Sequence, residues 1–137
     1  SNEILFQIEV LNLDCTLLSY KKHMIYNIET YTQAFASAWN SLDIAPIEQL
    51  LDDNFHYSSF WVLEEMISAE EYLDYLKSKF ATIRRTGSVV LADYLPERNF
   101  IVLTQDNIRK CGIILKINDE GLISRADMMP LEFCEKF

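Results

Sequence analysis

The first half of the chain places its apolar residues at the spacing of amphipathic helices. Between residues 28 and 42 they recur every three or four positions, which predicts a long helix over about residues 22–40. Pro46 is tolerated in the first turn of a helix and predicts a short second helix through residue 51, ended by a polar run. Residues 68–71 have the Ser-x-x-Glu form of a capping box, so we expect a third helix to begin there.

The remaining pattern predicts strands. Residues 55–60 alternate large apolar with small polar side chains, as a strand does. After Gly87, short turn sequences separate further β-rich runs and imply antiparallel neighbours. These runs cover residues 88–95, 99–105, 109–117 and 122–129. In the third of them apolar residues alternate with others, except at Ile114, which predicts a sheet with one covered face and one face partly in water.

The first two dozen residues fit two structures equally well. The apolar residues of 4–10 alternate as in a strand, whereas the leucines that continue through Leu17 fit a helix. We therefore assign residues 1–24 to an N-terminal extension of undetermined structure, and residues 25–137 to a single domain.

Composition narrows the class of protein. The 137 residues are 50% apolar with three Gly and three Pro, which argues for a folded domain and against disorder. Twelve basic and 21 acidic residues give a net charge of -9, which disfavours nucleic acid and anionic membrane surfaces as partners. No apolar run approaches the roughly 20 residues of a membrane-spanning helix, and we expect no membrane association.

Cysteines and motifs point to a cytoplasmic protein without metal or cofactor. Cys15, Cys111 and Cys134 are widely separated and form no Cys-x-x-Cys motif, which argues against a disulfide framework and a zinc site. The apolar run near the start lacks a basic leader, so no secretory signal is expected. With two His and three Gly, the chain offers neither a His pair at metal spacing nor a phosphate-binding loop.

Three short motifs carry a resemblance to a known superfamily. Residues 35–43 read FASAWNSLD, residues 50–57 read LLDDNFHY and residues 118–125 read NDEGLISR. In this order they resemble the first-helix end, the entry to the first strand and the final hairpin of nuclear transport factor 2-like proteins, which include SnoaL-like cyclases and ketosteroid isomerase. The resemblance covers about residues 28–129. It implies an α+β fold: a cone in which three N-terminal helices pack on a curved, mostly antiparallel sheet.

The resemblance does not extend to a complete catalytic set. In ketosteroid isomerase a tyrosine on the first helix and an aspartate on the first strand are needed. Aligned on Asp43, those positions fall on Phe35 and Ser59, which argues against steroid isomerisation. Other acid–base candidates remain, on the strands of the predicted sheet. They are His56, Tyr57, Asp93 and Asp127.

The resemblance also implies a ligand cavity inside the cone. Its predicted contacts are Phe35, Trp39, Phe55, Tyr57, Ser59 and Trp61, with His56 facing the other way on the same strand. Trp61 fits the core, a lid or a dimer contact equally well. We therefore expect a SnoaL-like protein that binds a small apolar molecule in the cone cavity, has no identifiable catalytic set and forms a homodimer. The alternatives are a SnoaL-type isomerase, dehydratase or cyclase acting on a cyclic or polyketide-like substrate, and a dimeric protein-interaction module.

Overall fold

The structure, a computed structural model, describes residues 27–95 and 100–134. The N-terminal extension 1–24, Cys15 and the turn predicted at residues 96–97 lie outside these ranges. The elements in chain order are α1 (Ile28–Ser41), α2 (Ala45–Glu48), β1 (Leu51–Ser59), β2 (Val62–Met66), α3 (Ala69–Thr86), β3 (Val90–Leu95), β4 (Phe100–Gln105), β5 (Arg109–Ile117), β6 (Ile123–Pro130) and α4 (Leu131–Cys134).

One curved sheet of six strands carries the fold, in the order β2-β1-β6-β5-β4-β3. β1 and β6 run parallel, and the other neighbouring pairs are antiparallel. The predicted α+β class, with helices packed on a mostly antiparallel sheet, is therefore confirmed. No helix among the described residues is long and apolar enough to cross a membrane.

Local sequence sets the ends of the two long helices. Asn27 caps α1, its side-chain oxygen accepting from the Glu29 N–H at 2.8 Å. At the start of α3, the Ser68 hydroxyl accepts from the Glu71 N–H at 3.1 Å, as the capping box predicts. Gly87 ends α3 in the left-handed conformation, with φ 76°, which glycine adopts without steric cost.

The second helix is shorter than predicted. α2 ends at Glu48, and Leu51 instead opens β1, because its backbone pairs with Ile123 of β6. The Ile123 N–H also donates to the Leu50 carbonyl at 2.7 Å. Asp52, which belongs to the polar run expected to end the helix, lies in the strand and accepts from the Asn118 side chain at 2.6 Å. Pairing with a distant strand thus overrides the local helical pattern.

Strand β2 and helix α4 are not predicted from the sequence. β2 has no alternating pattern, and its place is fixed by a hairpin with β1 in which Tyr57 pairs with Met66. α4 is a single turn after Pro130 that lies against β5 and β6.

Both faces of the sheet bury apolar side chains. Helices α1 and α3 cover the inner face, where the main core forms. On the outer face, Phe100, Val102 and Cys134 form a second buried cluster, and Ile114 packs against it. This cluster explains why Ile114 interrupts the alternation of β5. At Gly112 a Cβ atom would lie 2.2 Å from the Cys134 sulfur, so α4 can approach the sheet only where that residue lacks a side chain.

Candidate ligand cavity

A cavity of about 300 Å³ lies between α3 and the inner face of the sheet. One wall comes from the helices, chiefly α3, and the other from strand residues and the β1–β2 turn. The described residues that line it are Trp39, Tyr57, Ser59, Trp61, Tyr75, Lys79, Thr82, Ile83, Thr86, Val90, Leu103, Thr104, Gln105, Cys111 and Met128.

Helix α3 contributes a polar stripe that the sequence analysis missed. Tyr75, Lys79, Thr82 and Thr86 are spaced by four, three and four residues, which places them on one side of a helix. A second stripe at similar spacing, 72, 76, 80 and 83, is buried in the core beside them. The missed signal was therefore present in the sequence, as a polar row adjoining the apolar row of an amphipathic helix.

Strand β1 sends alternate side chains to the two faces of the sheet. Tyr57 is buried on the inner face and Ser59 lines the cavity, whereas His56 is half-exposed on the outer face. The Tyr57 hydroxyl donates to the Met128 sulfur at 3.7 Å. The Tyr57 ring lies 4.8 Å from that of Tyr72, centroid to centroid.

Burial governs the chemistry of the three neighbouring tyrosines. Burial, and next the proximity of Tyr75, raises the pKa of Tyr57 well above its usual range. Burial also raises the pKa of Tyr72 and of Tyr75. At neutral pH these phenols are therefore protonated, so they can donate hydrogen bonds but are poor bases.

The two tryptophans occupy different depths. Trp39 is buried with its ring edge-on to Phe80, at a centroid distance of 5.1 Å. Its indole N–H has no hydrogen-bond partner among the described residues. Trp61, in the β1–β2 turn, is 44% exposed while also lining the cavity, so it lies at the rim and not in the core.

Phe35 and Phe55, which the resemblance places in contact with ligand, lie in the packed core. Both are fully buried against Tyr72, at ring-centroid distances of 6.3 Å and 4.8 Å respectively. Neither is among the described residues that line the cavity. They support the cavity wall from behind, because Tyr72 in turn contacts Tyr57 and Tyr75.

Two of the acid–base candidates meet on the outer face, in an ion-pair network away from the cavity. His56 Nδ1 lies 3.5 Å from Glu65 Oε1, and Arg125 Nη2 lies 3.2 Å from Glu65 Oε2. Arg125 Nε donates to both carboxylate oxygens of Asp127 at 3.0 Å, and the Ser58 hydroxyl donates to the same carboxylate. This network joins β2, β1 and β6 and has the character of cross-strand pairing.

The two remaining acid–base candidates, Asp93 and Tyr57, lie on opposite faces of the sheet. Asp93 is exposed on β3, next to the buried Ala92 and therefore on the opposite face from it. Tyr57 is thus the one acid–base candidate of the four that lines the cavity. Among the described lining residues there is no carboxylate and no imidazole. The described part of the chain also contains no group of three His, Cys, Asp or Glu side chains that could hold a metal ion.

Comparisons with known proteins identify the fold. No protein-family model matches the chain, and no curated protein matches it. Among solved structures, a SnoaL-like protein of unknown function from Burkholderia thailandensis superposes with a TM-score of 0.58 at 13% identity, covering 74% of this chain and 91% of that protein. A nuclear transport factor 2-like protein of unknown function from Cytophaga hutchinsonii gives a TM-score of 0.47 at 14% identity, covering 70% and 82%.

A pinacolase from Penicillium brevicompactum gives a TM-score of 0.47 at 11% identity, covering 82% of this chain and 93% of the pinacolase. Of these three, the Burkholderia protein has the highest TM-score, and at 13% identity the similarity is one of fold. Its superposition extends over 74% of this chain and 91% of its own length, so the two proteins share most of one fold. The chain therefore has the cone-shaped α+β fold of the nuclear transport factor 2-like superfamily, the SnoaL-like proteins among them.

Proposed function

We propose that this protein binds a small, largely apolar molecule in the cavity between α3 and the sheet, where the described residues form no identifiable catalytic set. The observation that carries the proposal is the composition of the cavity wall. Tyr57, Trp61, Leu103 and Met128 offer aromatic and aliphatic surface, while the described lining residues include no carboxylate and no imidazole to move a proton.

The size of the cavity agrees with a small ligand. Its volume of about 300 Å³ is at the lower end of the range of about 300–1,000 Å³ that is usual for small-molecule sites. Hydroxyl and amide groups from Ser59, Gln105 and Thr82 provide the few polar contacts that would orient such a molecule.

A thermal-shift experiment tests the proposal. The panel comprises monoterpene alcohols, phenylalkanols and medium-chain alkanols and alkanoates. A ligand at 100 times its dissociation constant adds about 2.7 kcal/mol of stability, which corresponds to a rise in Tm on the order of 10 °C for a domain of this size. Thr82→Trp, at the exposed rim, should reduce the rise by obstructing the cavity.

Ser78→Trp is the matched control. It makes the same kind of change on an exposed position of the same helix that does not line the cavity, and it should leave the rise in Tm unchanged. A panel in which no compound shifts Tm would overturn the proposal, and so would equal shifts in wild type and in Thr82→Trp.

A SnoaL-type isomerase, dehydratase or cyclase is the alternative. It has one supporting observation, the Tyr57 phenol at the cavity, which is protonated at neutral pH and could exchange its contact with the Met128 sulfur for a hydrogen bond to a substrate carbonyl. It has less support than binding because His56 and Asp127 are engaged with Glu65 and Arg125 on the other face of the sheet. Homodimer formation and a cytoplasmic location stay predictions.

A further inference from the structure

We infer that the ligand is a monoanion with an apolar body, such as a small carboxylic acid, and that Lys79 at the cavity rim holds its acidic group. This inference rests on the proposed function and gives the chemical class of the ligand. It starts from the distribution of charge around the cavity.

Lys79 is the one charged side chain among the described residues that line the cavity. The chain as a whole is acidic, with 21 acidic and 12 basic residues. The described cavity lining has the opposite charge, because it contains one cation and no carboxylate. Within the described part of the chain, no carboxylate forms an ion pair with Lys79. Arg125 is different, because two carboxylates already hold it.

The position of Lys79 is favourable for capturing an anion at the entrance. Its Nζ lies 6.0 Å from the centroid of the Tyr75 ring, one helical turn earlier on α3, a contact of cation–π type that keeps the ammonium group near the rim. Thr82 continues the same stripe and offers a hydroxyl donor beside it, whereas the Thr86 hydroxyl donates to the Ile83 carbonyl at 3.3 Å. The helix wall of the cavity is therefore polar and cationic.

The opposite wall of the cavity provides the apolar surface that the body of such a ligand would contact. Tyr57, Leu103 and Met128 present aromatic and aliphatic surface from the strands. A molecule with one apolar end and one anionic end would match both walls at once. A single ammonium group balances one negative charge, so the charge of the described lining favours a monocarboxylate over a dianionic phosphate.

The experiment compares two probes with the same carbon skeleton, 3-phenylpropionate and 3-phenylpropanol, by titration calorimetry at pH 7.5. Because an exposed ion pair contributes at most about 1 kcal/mol, we expect wild type to prefer the acid about three- to fivefold. Lys79→Gln should abolish this preference, because it should lower the affinity for the acid more than the affinity for the alcohol. Lys79→Arg should retain the preference, and raising the salt concentration should reduce it in wild type.

Lys77→Gln is the matched control, because Lys77 is exposed on the same helix and does not line the cavity. It should leave both affinities unchanged. Equal affinity of wild type for acid and alcohol would overturn the inference while leaving the proposed function standing, and a preference retained in Lys79→Gln would do the same. Failure of both probes, together with a panel that gives no thermal shift, would count against both proposals.

Discussion

Two buried tyrosines of this protein differ in whether the hydroxyl forms a hydrogen bond. The Tyr31 hydroxyl donates to the Gly121 carbonyl at 2.9 Å and so joins α1 to the turn before β6. The Tyr72 ring is fully buried against Phe35, Phe55 and Tyr57, but its hydroxyl has no hydrogen-bond partner within the described residues. A buried polar group without a partner lowers stability by the cost of removing it from water.

This contrast predicts opposite effects for the same substitution. Tyr72→Phe should leave the free energy of unfolding unchanged or raise it by up to about 1 kcal/mol, because it removes an unpaired polar atom. Tyr31→Phe should lower it by about 1–3 kcal/mol, because the Gly121 carbonyl is left unpaired. Urea denaturation of the two variants measures both effects. A larger loss in Tyr72→Phe than in Tyr31→Phe would contradict the assignment of the unpaired hydroxyl.

The raised pKa values of Tyr57, Tyr72 and Tyr75 predict a loss of stability in alkaline solution. In the unfolded chain a tyrosine ionises near pH 10, whereas in the folded protein these three stay protonated to higher pH. The contribution is therefore complete below about pH 10 and is lost above it, at up to about 1.4 kcal/mol per pH unit for each of the two more deeply buried tyrosines, Tyr57 and Tyr72, and less for the partly exposed Tyr75.

Urea titrations between pH 9 and pH 11.5 measure this slope. Lysines also lose charge in this range, so the informative comparison is between wild type and Tyr57→Phe, which keeps them all. The variant should show a shallower fall in the free energy of unfolding. The same slope in both proteins would mean that Tyr57 ionises as easily in the folded state as in the unfolded chain.

At the scale of elements, the end of α1 protects an edge of the sheet. β3 is an edge strand, and its free side would expose backbone groups that can pair with another chain. Asn40 closes that side at Ala92: its side-chain oxygen accepts from the Ala92 N–H at 2.8 Å, and its amide donates to the Ala92 carbonyl at 2.9 Å. One side chain thereby makes the two bonds that a neighbouring strand would make.

Asn40→Ala should consequently lower the free energy of unfolding by about 1–3 kcal/mol, since it removes two partly buried hydrogen bonds. It should also speed hydrogen exchange of the Ala92 amide. Asn54→Ala is the matched control, since Asn54 is exposed in β1 and the expected change there is within about 0.5 kcal/mol. Unchanged exchange at Ala92 in Asn40→Ala would show that Asn40 does not protect this edge.

The elements that could be predicted from sequence are those with strong local signals. The helix that follows Ser68 carries both a capping box and a periodic apolar stripe, and it begins where they indicate. The start of β1 could not be predicted, because Leu51 is in a strand only through its pairing with Ile123, a residue far away in the chain. β2 depends in the same way on its hairpin with β1.

At the scale of the whole molecule, the cavity could be predicted in part. The resemblance indicates four residues that do line it, Trp39, Tyr57, Ser59 and Trp61. It also indicates Phe35 and Phe55, which lie in the core behind the wall, because an aligned position gives the face of an element but not its depth. The polar stripe of α3 was not predicted, because only the apolar row of this helix was assigned a role. The helix in fact buries its apolar row in the core and lines the cavity with the adjoining polar row.

The net charge of -9 belongs to the surface as a whole and works against the proposed ligand at long range. Screening limits this repulsion to roughly 8 Å at physiological ionic strength, so the local ammonium group of Lys79 can still dominate at the rim. An anionic ligand would therefore be selected by the cavity entrance and not by the overall field of the protein.

The alternation of β1 limits how new chemistry can reach the cavity. Side chains on a strand repeat every two residues, and the burial of Phe55 and Tyr57 on the inner face holds the register of β1. A one-residue change in the two-residue connection between α2 and β1 would therefore be taken up by that connection, and His56 would stay on the outer face. An imidazole or a carboxylate would enter the cavity by substitution at a lining position such as Ser59, and not by a change in the length of the connection.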